Sequence, residues 1–254
     1  MNLGKYVKLS IFLQLKESFS EMRDPRVVGR TDHDLLDILV LTVCAVICGA
    51  DDWEAIEIWG DARIDWLRRY IPLKNGVPSH DTIARVFTAM DSKSFQSCFI
   101  RWVSTICGSL VGQVVALDGK TMRGSHRRRL GKKGIHLVSA FASAQGICLG
   151  QVKTEEKSNE ITAIPELIAM LELKGTIVTL DSMGCQTEIA HAIIEKEADY
   201  VLALKGNHGN LHEQVLDFFD VAEQFDYENL EAKPDENCEK GHGRIETRRV
   251  VALN

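Results

Sequence analysis

The spacing of apolar residues changes at Gly112, and that break constrains the fold more than any other feature of the chain. Before it the pattern is helical. Residues 34–49 are nearly continuous in apolar side chains, with Thr31 or Asp32 placed to cap the start and Gly49 to end it. Residues 53–70 set Trp53, Ile56, Ile64 and Leu67 on one helical face. Pro72 and Gly76 interrupt the chain, Ser79 caps a third helix with Ile83, Val86 and Phe87 as its apolar positions, and a fourth helix covers residues 94–110. After Gly112, short β-branched runs take over at 114–117, 136–142 and 147–152. Helical spacing at 161–173, 188–196 and 211–219 then alternates with buried-strand runs at 176–180 and 200–204. The order β-β-β-α-β-α-β-α predicts an antiparallel meander joined to βα units. That is an α/β fold, a mixed sheet with flanking helices (112–254), preceded by an all-helical region (1–111). Residues 220–242, acidic and weakly periodic, read as a surface excursion, and 244–253 as the start of another strand.

Charge is as uneven as periodicity. The whole chain carries −6, yet residues 113–154 hold eight Lys/Arg and a single acid, Asp118, whereas residues 155–254 hold nine Lys/Arg and 21 acids. Lys120, Arg123, Arg127, Arg128, Arg129, Lys132 and Lys133 follow Asp118 directly. A local cluster of this kind sets the field that a phosphate backbone meets, whatever the net charge. A solvated hairpin without a partner is the other reading of the same run. The longest apolar stretch, 35–50, is interrupted by Asp37 and falls short of the ~20 residues a membrane span needs. Seven scattered cysteines and an N-terminus mixing Lys5, Lys8 and Gln14 among apolar residues predict a reduced, cytoplasmic protein with no membrane partner.

Two aspartates stand where chemistry is expected. Asp118 ends the apolar run Val114-Val-Ala-Leu and Asp181 ends Thr176-Ile-Val-Thr-Leu, and small or turn-forming residues follow each. Sites in mixed sheets form at strand ends, where loops leave room. If the two strands are neighbours, the carboxylates converge and repel unless a cation lies between them, and hard oxygen donors suit Mg²⁺ or Mn²⁺. Asp as a simple cap of the following turn is the alternative. Lys205, in Lys205-Gly-Asn-His208, is a further candidate for phosphate contact, and Glu246 a candidate third acid. His208 with His212, and Cys238 with His242, have zinc-like spacing but no second pair.

Several stretches carry a family resemblance: Val77-Pro-Ser-His-Asp-Thr82, Leu117-Asp-Gly-Lys-Thr-Met-Arg-Gly-Ser125, His136-Leu-Val-Ser-Ala-Phe141, Lys157-Ser-Asn-Glu-Ile-Thr-Ala-Ile-Pro165, Thr179-Leu-Asp-Ser-Met-Gly-Cys-Gln186, Asp199-Tyr-Val-Leu-Ala-Leu-Lys-Gly-Asn207 and His242-Gly-Arg-Ile-Glu246. Together, from about residue 30 onward, they resemble the H-repeat-associated (Rhs-linked) DDE transposases. The resemblance implies a ribonuclease-H-like catalytic domain behind the helical one. It also implies cleavage and transfer of double-stranded DNA at element ends, with two divalent ions, Mg²⁺ or Mn²⁺, held by Asp118 and Asp181 as first and second acids. A homodimer is compatible with it. The chain departs from the pattern at Ser182 and His208, where Ala and Gln are expected. The family's third acid, a Glu in a late His-Trp-x-Ile-Glu-Asn-like stretch, has no match, and Glu246 lies in a different motif. The expectation is therefore the N-terminal part of a transposase, truncated before its third acid. The alternative is a non-catalytic remnant that binds DNA through Lys120, Arg123, Arg127, Arg128, Arg129, Lys132, Lys133 and Lys205.

Overall fold

A computed structural model of the chain describes residues 3–27, 29, 31–122, 125, 134–154, 160–241 and 244–253. The chain divides into two compact units, Met1–Leu202 and Ala203–Asn254.

The first unit begins with helices α1 (Leu3–Phe19), α2 (Leu35–Ile47), α3 (Trp53–Ala62), α4 (Ile64–Leu67), α5 (His80–Ala89) and α6 (Ser92–Cys107). In α2, apolar residues occupy every side, and residues Ile38 to Leu41 are all buried, as a helix enclosed by its neighbours requires. Its cap is Asp34, whose carboxylate accepts from the Leu36 N–H at 2.8 Å, rather than the expected Thr31 or Asp32. Asp52 caps α3 in the same way, accepting from Ala55 N–H at 2.7 Å. The expected single helix over 53–70 is broken at Arg63 (φ −126°, ψ 14°), and the break lets the Trp66 ring meet those of Trp59 and Phe12. Ser79 caps α5 as its sequence predicts, whereas α6 starts two residues earlier than expected because Asp91 caps it.

One polar group lies deep in this region. Asp37, on α2, is 5% exposed and accepts a 2.8 Å hydrogen bond from the Leu73 N–H. Leu73 is in the left-handed region (φ 42°), so the carboxylate anchors a strained turn between α4 and α5. Burial holds the Asp37 carboxyl above the ordinary aspartate range, against the lowering effect of the Leu73 bond.

The sheet follows: β1 (Val114–Thr121), β2 (His136–Ala142), β3 (Ile147–Lys153), β4 (Ile177–Leu180) and β5 (Asp199–Leu202), in the spatial order β3-β2-β1-β4-β5. The first three strands form the expected antiparallel meander, and β4 joins β1 in parallel, as does β5 to β4. The right-sized crossovers are α7 (Glu160–Met170) between β3 and β4 and α8 (Thr187–Glu195) between β4 and β5. Val115, Leu117, Val138, Ala140, Val178 and Leu180 alternate onto one buried face. Helices α6 and α7 pack against that face, close enough that a Cβ on Gly150 would meet Ile100 Cδ1 at 3.0 Å and Leu167 Cδ1 at 3.4 Å. On the opposite face Val114, Phe141 and Val201 remain exposed.

The second unit holds a short turn at Gly206–His208, helix α9 (Gly209–Gln224), and strands β6 (Ala232–Gly241) and β7 (Arg244–Leu253) paired as an antiparallel hairpin. The expected surface excursion at 220–242 is thus mostly regular structure. Its polar sequence hides the strand because β6 (Ala-Lys-Pro-Asp-Glu-Asn-Cys-Glu-Lys-Gly) has no apolar alternation, although Glu236 does stand opposite Arg249. Arg249 also pairs with Glu223 on α9. Among the described residues no helix is long and apolar enough to cross a membrane.

Candidate functional site

Strands β1 and β4 run parallel with Ala116 beside Thr179 and Leu117 beside Leu180. Both leucines are buried, and an aspartate follows each: Asp181 comes just after β4, as expected, but Asp118 does not end β1, which runs on to Thr121 because β2 continues to pair with it. The two aspartates therefore follow a paired rung of neighbouring strands, whose backbones lie ~4.8 Å apart. The pleat turns Asp118 away from Leu117 to the open face. There it lines a cleft of about 400 Å³ with Ala116, Lys120, Ser139, Phe141 and Gln151. Lys120 Nζ lies 3.1 Å from Asp118 Oδ2, with both side chains more than half exposed, an ion pair that solvent largely screens. Asp181 Oδ1 accepts from the Met183 N–H at 3.0 Å, so this residue does cap the turn after β4. The cap leaves its strand-end position unchanged, and the turn is tight: a Cβ on Gly184 would stand 2.5 Å from Leu180 Cδ2.

In kind, two exposed carboxylates suit a hard divalent cation. In number they fall short of a full ligand set, because the described residues contain no group of three or more His, Cys, Asp or Glu able to hold a metal. That statement also covers His208 and His212; of the other zinc-like pair, His242 lies outside the described residues. Glu246 is on β7 in the second unit, opposite Glu239, with Arg248 Nη2 at 3.0 Å from its carboxylate. Its ionic partner is within the hairpin itself.

Of the basic candidates, Lys120 sits on β1 beside Asp118. Arg123, Arg127, Arg128, Arg129, Lys132 and Lys133 lie outside the described residues. Lys205 is in the second unit, exposed, and its carbonyl accepts from the His208 N–H at 3.0 Å. The Ser79-capped helix α5 carries Arg85 toward a cleft of about 600 Å³ shared with Arg26, His33 and Thr82. Arg26 there is already paired with Asp24 at 2.7 Å.

A chain of polar side chains that the sequence pattern left without a role lies on the other side of β1. Thr121 and His136 are register partners, and Thr121 Oγ1 is 3.0 Å from His136 Nδ1. His136 Nε2 lies 2.5 Å from Glu160 Oε1 at the start of α7. The side chains of His136 and Glu160 are 30% and 22% exposed. The Glu160 carboxylate occupies the space above Gly119, where a Cβ would come within 2.2 Å of Glu160 Cδ. Both residues sit in the stretches that carry the family resemblance, and the β-alternation Leu117, Gly119, Thr121 was the available clue to their shared face.

Residues 109–253 match the family model described as Transposase DDE domain, and residues 16–103 match the model described as DDE_Tnp_1-associated. The chain belongs to the DDE transposase family. Its relatives place it with the H-repeat-associated proteins. It is 47% identical over 240 residues to "Putative transposase YncI" of Escherichia coli O157:H7, covering 94% of this chain and 61% of that one. It is equally similar to the protein of the same name in Escherichia coli strain K12, of which it covers 96%. Against "H repeat-associated putative transposase YhhI" of strain K12, identity is 44% over 235 residues, 92% of this chain and 61% of the relative. The chain thus spans about three-fifths of two of these relatives and nearly all of the third. Among solved structures, the piggyBac transposase synaptic complex with hairpin DNA aligns with 78% of this chain and 48% of its own, at 15% identity and a TM-score of 0.36. In this DDE-family chain, Asp118 and Asp181 fall within the matched 109–253 segment, as do Lys120 and Glu160.

Proposed function

We propose that this chain carries the first two acids of a metal-dependent DNA-cleaving and strand-transferring site, in a ribonuclease-H-like domain spanning 112–254 behind a helical domain at 1–111. The observation that supports the reading is the parallel pairing of Leu117 with Leu180, after which Asp118 follows within β1 and Asp181 just past the end of β4. Family membership supports it, since the DDE family uses divalent metal. Asp118 and Asp181 would hold Mg²⁺ or Mn²⁺. When bound, such ions polarise a scissile phosphate and lower the pKa of the attacking hydroxyl.

The remaining work falls to the chain's own groups. The reaction is an in-line displacement: a water oxygen forms a bond to phosphorus, the P–O3′ bond breaks, and a 3′-hydroxyl and a 5′-phosphate result. In transfer, that 3′-hydroxyl attacks a target phosphodiester in the same way. Lys120 and Arg123 orient the backbone, and Arg127, Arg128, Arg129, Lys132, Lys133 and Lys205 neutralise phosphates of double-stranded DNA. Holding the phosphate in line and stabilising its added charge are the protein's main contributions.

Nicking of supercoiled DNA by the purified chain in Mn²⁺, lost in both Asp118→Asn and Asp181→Asn, is the expected result. Nicking that persists in both variants overturns the assignment. Salt-sensitive DNA binding without nicking in the unaltered chain would instead favour the reading of a non-catalytic DNA-binding remnant.

A further inference from the structure

We propose that Glu160 is a positioning residue for the segment of β1 that carries Asp118, acting through His136 and Thr121. This deepens the proposed function and rests on it for the role given to Asp118. The hydrogen bonds run in sequence through the ring: His136 Nε2 faces Glu160 Oε1 at 2.5 Å, where a carboxylate oxygen accepts from an Nε2–H. The ring is then held by Thr121 Oγ1 at Nδ1, 3.0 Å away, which leaves it one orientation. The chain Glu160–His136–Thr121 thus runs from the first residue of α7 to the rung that joins β1 to β2.

Steric fit acts at the same place. The Glu160 carboxylate rests on the backbone of Gly119, the residue after Asp118, in the space any other side chain would fill. Gly119 pairs with Val138 and Asp118 with Ser139, so the contact bears on the segment of β1 that carries the aspartate. Beyond Leu117, β1 has no parallel neighbour to hold it, because the pairing with β4 ends there. From that point only the β2 ladder supports the strand, up to the Met122 N–H to Ile135 carbonyl bond at 2.8 Å. The Glu160 chain grips this half-supported stretch from the helix-covered side while Asp118 projects from the other.

The grip also sits at a junction. Thr121 and His136 are the last register pair before the connection whose sequence holds Arg123, Arg127, Arg128, Arg129, Lys132 and Lys133. What holds this stretch of β1 therefore holds the last paired rung before that connection as well.

The test uses the full chain with Glu160→Ala, Glu160→Gln and Thr121→Val, thermal unfolding as a control, amide hydrogen exchange over Gly119–Met122, and titration with Mn²⁺ alone. Glu160→Ala should speed exchange of these amides about tenfold and weaken Mn²⁺ binding by a similar factor, with β4 and β5 amides unchanged. Glu160→Gln, whose carbonyl still accepts from Nε2–H, should restore both, which a purely electrostatic role would not predict; Thr121→Val, which leaves the Glu160 packing in place, should speed exchange only if the hydrogen-bonded chain matters. Exchange unmoved in Glu160→Ala, or a Gln variant no better than Ala, overturns the proposal. Should Glu160→Ala fail to fold, Thr121→Val removes only the hydroxyl of the chain and decides the matter: faster exchange upholds the tie and unchanged exchange overturns it. If the unaltered chain binds no Mn²⁺, the metal reading fails while the exchange data still judge the tie. Normal Mn²⁺ binding with unmoved exchange sinks the tie alone.

Discussion

Replacing Asp37 tests how the helical region is held, and its expected size follows from two opposing contributions. Asp37→Ala removes the acceptor of the Leu73 N–H in a site where Asp37 is 5% exposed. A buried donor left without a partner costs about 1–3 kcal/mol. Against this, the variant relieves the burial of a carboxylate, which is the principal cause of its raised pKa. At pH 7 the net loss should be about 1–2 kcal/mol, a Tm lowered by roughly 2–8 °C for a chain of this size. Asp37→Asn keeps an acceptor in place and removes the charge, so its loss should stay within about 1 kcal/mol.

The pH dependence separates the two contributions. A folded-state pKa raised above 3.8 means that the native protein holds its proton more tightly than the unfolded chain. The stability this gives is fully present below pH 3.8 and is lost as pH rises through the folded value. The wild type should therefore lose ground to Asp37→Asn between about pH 4 and 7, while caps and ion pairs common to both cancel. Thermal melts across that range, followed by circular dichroism, measure it. An Asp37→Ala chain as stable as wild type, or a wild-type advantage over Asn that grows with pH, would contradict this account.

Three further outcomes are expected. His80 is held above the usual histidine range chiefly by its hydrogen bond to Glu57, and Glu57 below the usual carboxylate range by bonds from the His80 backbone and ring. The His80 contribution is complete below pH 6.5 and fades as pH rises through its raised pKa; the Glu57 contribution is complete above pH 4.5 and fades as pH falls through its lowered one. Melts of Glu57→Gln against wild type should therefore differ most between pH 4.5 and 6.5, and less on either side of that window. Gly184→Ala places a Cβ 2.5 Å from Leu180 Cδ2, and overpacking there should cost about 1–3 kcal/mol in denaturant titration. Changing Arg127, Arg128 and Arg129 together to Ala should flatten the plot of log K for duplex DNA against log salt by about 0.9 for each phosphate no longer neutralised, measured by fluorescence anisotropy.

The sheet and its crossovers were legible because burial writes period 2 and period 3.6 into the sequence: β2 runs over His136–Ala142 as expected, with Val138, Ala140 and Ala142 alternating inward, and β4 and β5 differ from expectation only at their ends, whereas β1 runs four residues past the expected Leu117. The Asp118–Asp181 juxtaposition was legible conditionally, since apolar runs ending in aspartate say nothing about which strands are neighbours. Three features were not legible. The break at Arg63 depends on the Trp66 ring meeting side chains far along the chain. Strand β6 of the hairpin is polar throughout and carries no period-2 apolar pattern, so it reads as a solvated tail. The Glu160–His136–Thr121 chain joins residues up to 39 apart in sequence, so no local pattern shows it.

The parallel pairing of β1 with β4 has a consequence for how the site comes into being. Leu117 and Leu180 meet only after some sixty intervening residues have been looped back, a closure whose entropy alone is on the order of 4 kcal/mol. The meander is local and can form first, whereas β4 must return through the α7 crossover before it docks. Two like charges are thus kept apart until the surrounding sheet is already built. The carboxylates meet as a late product of folding, so a chain arrested at the meander would present Asp118 and the root of its basic connection without Asp181.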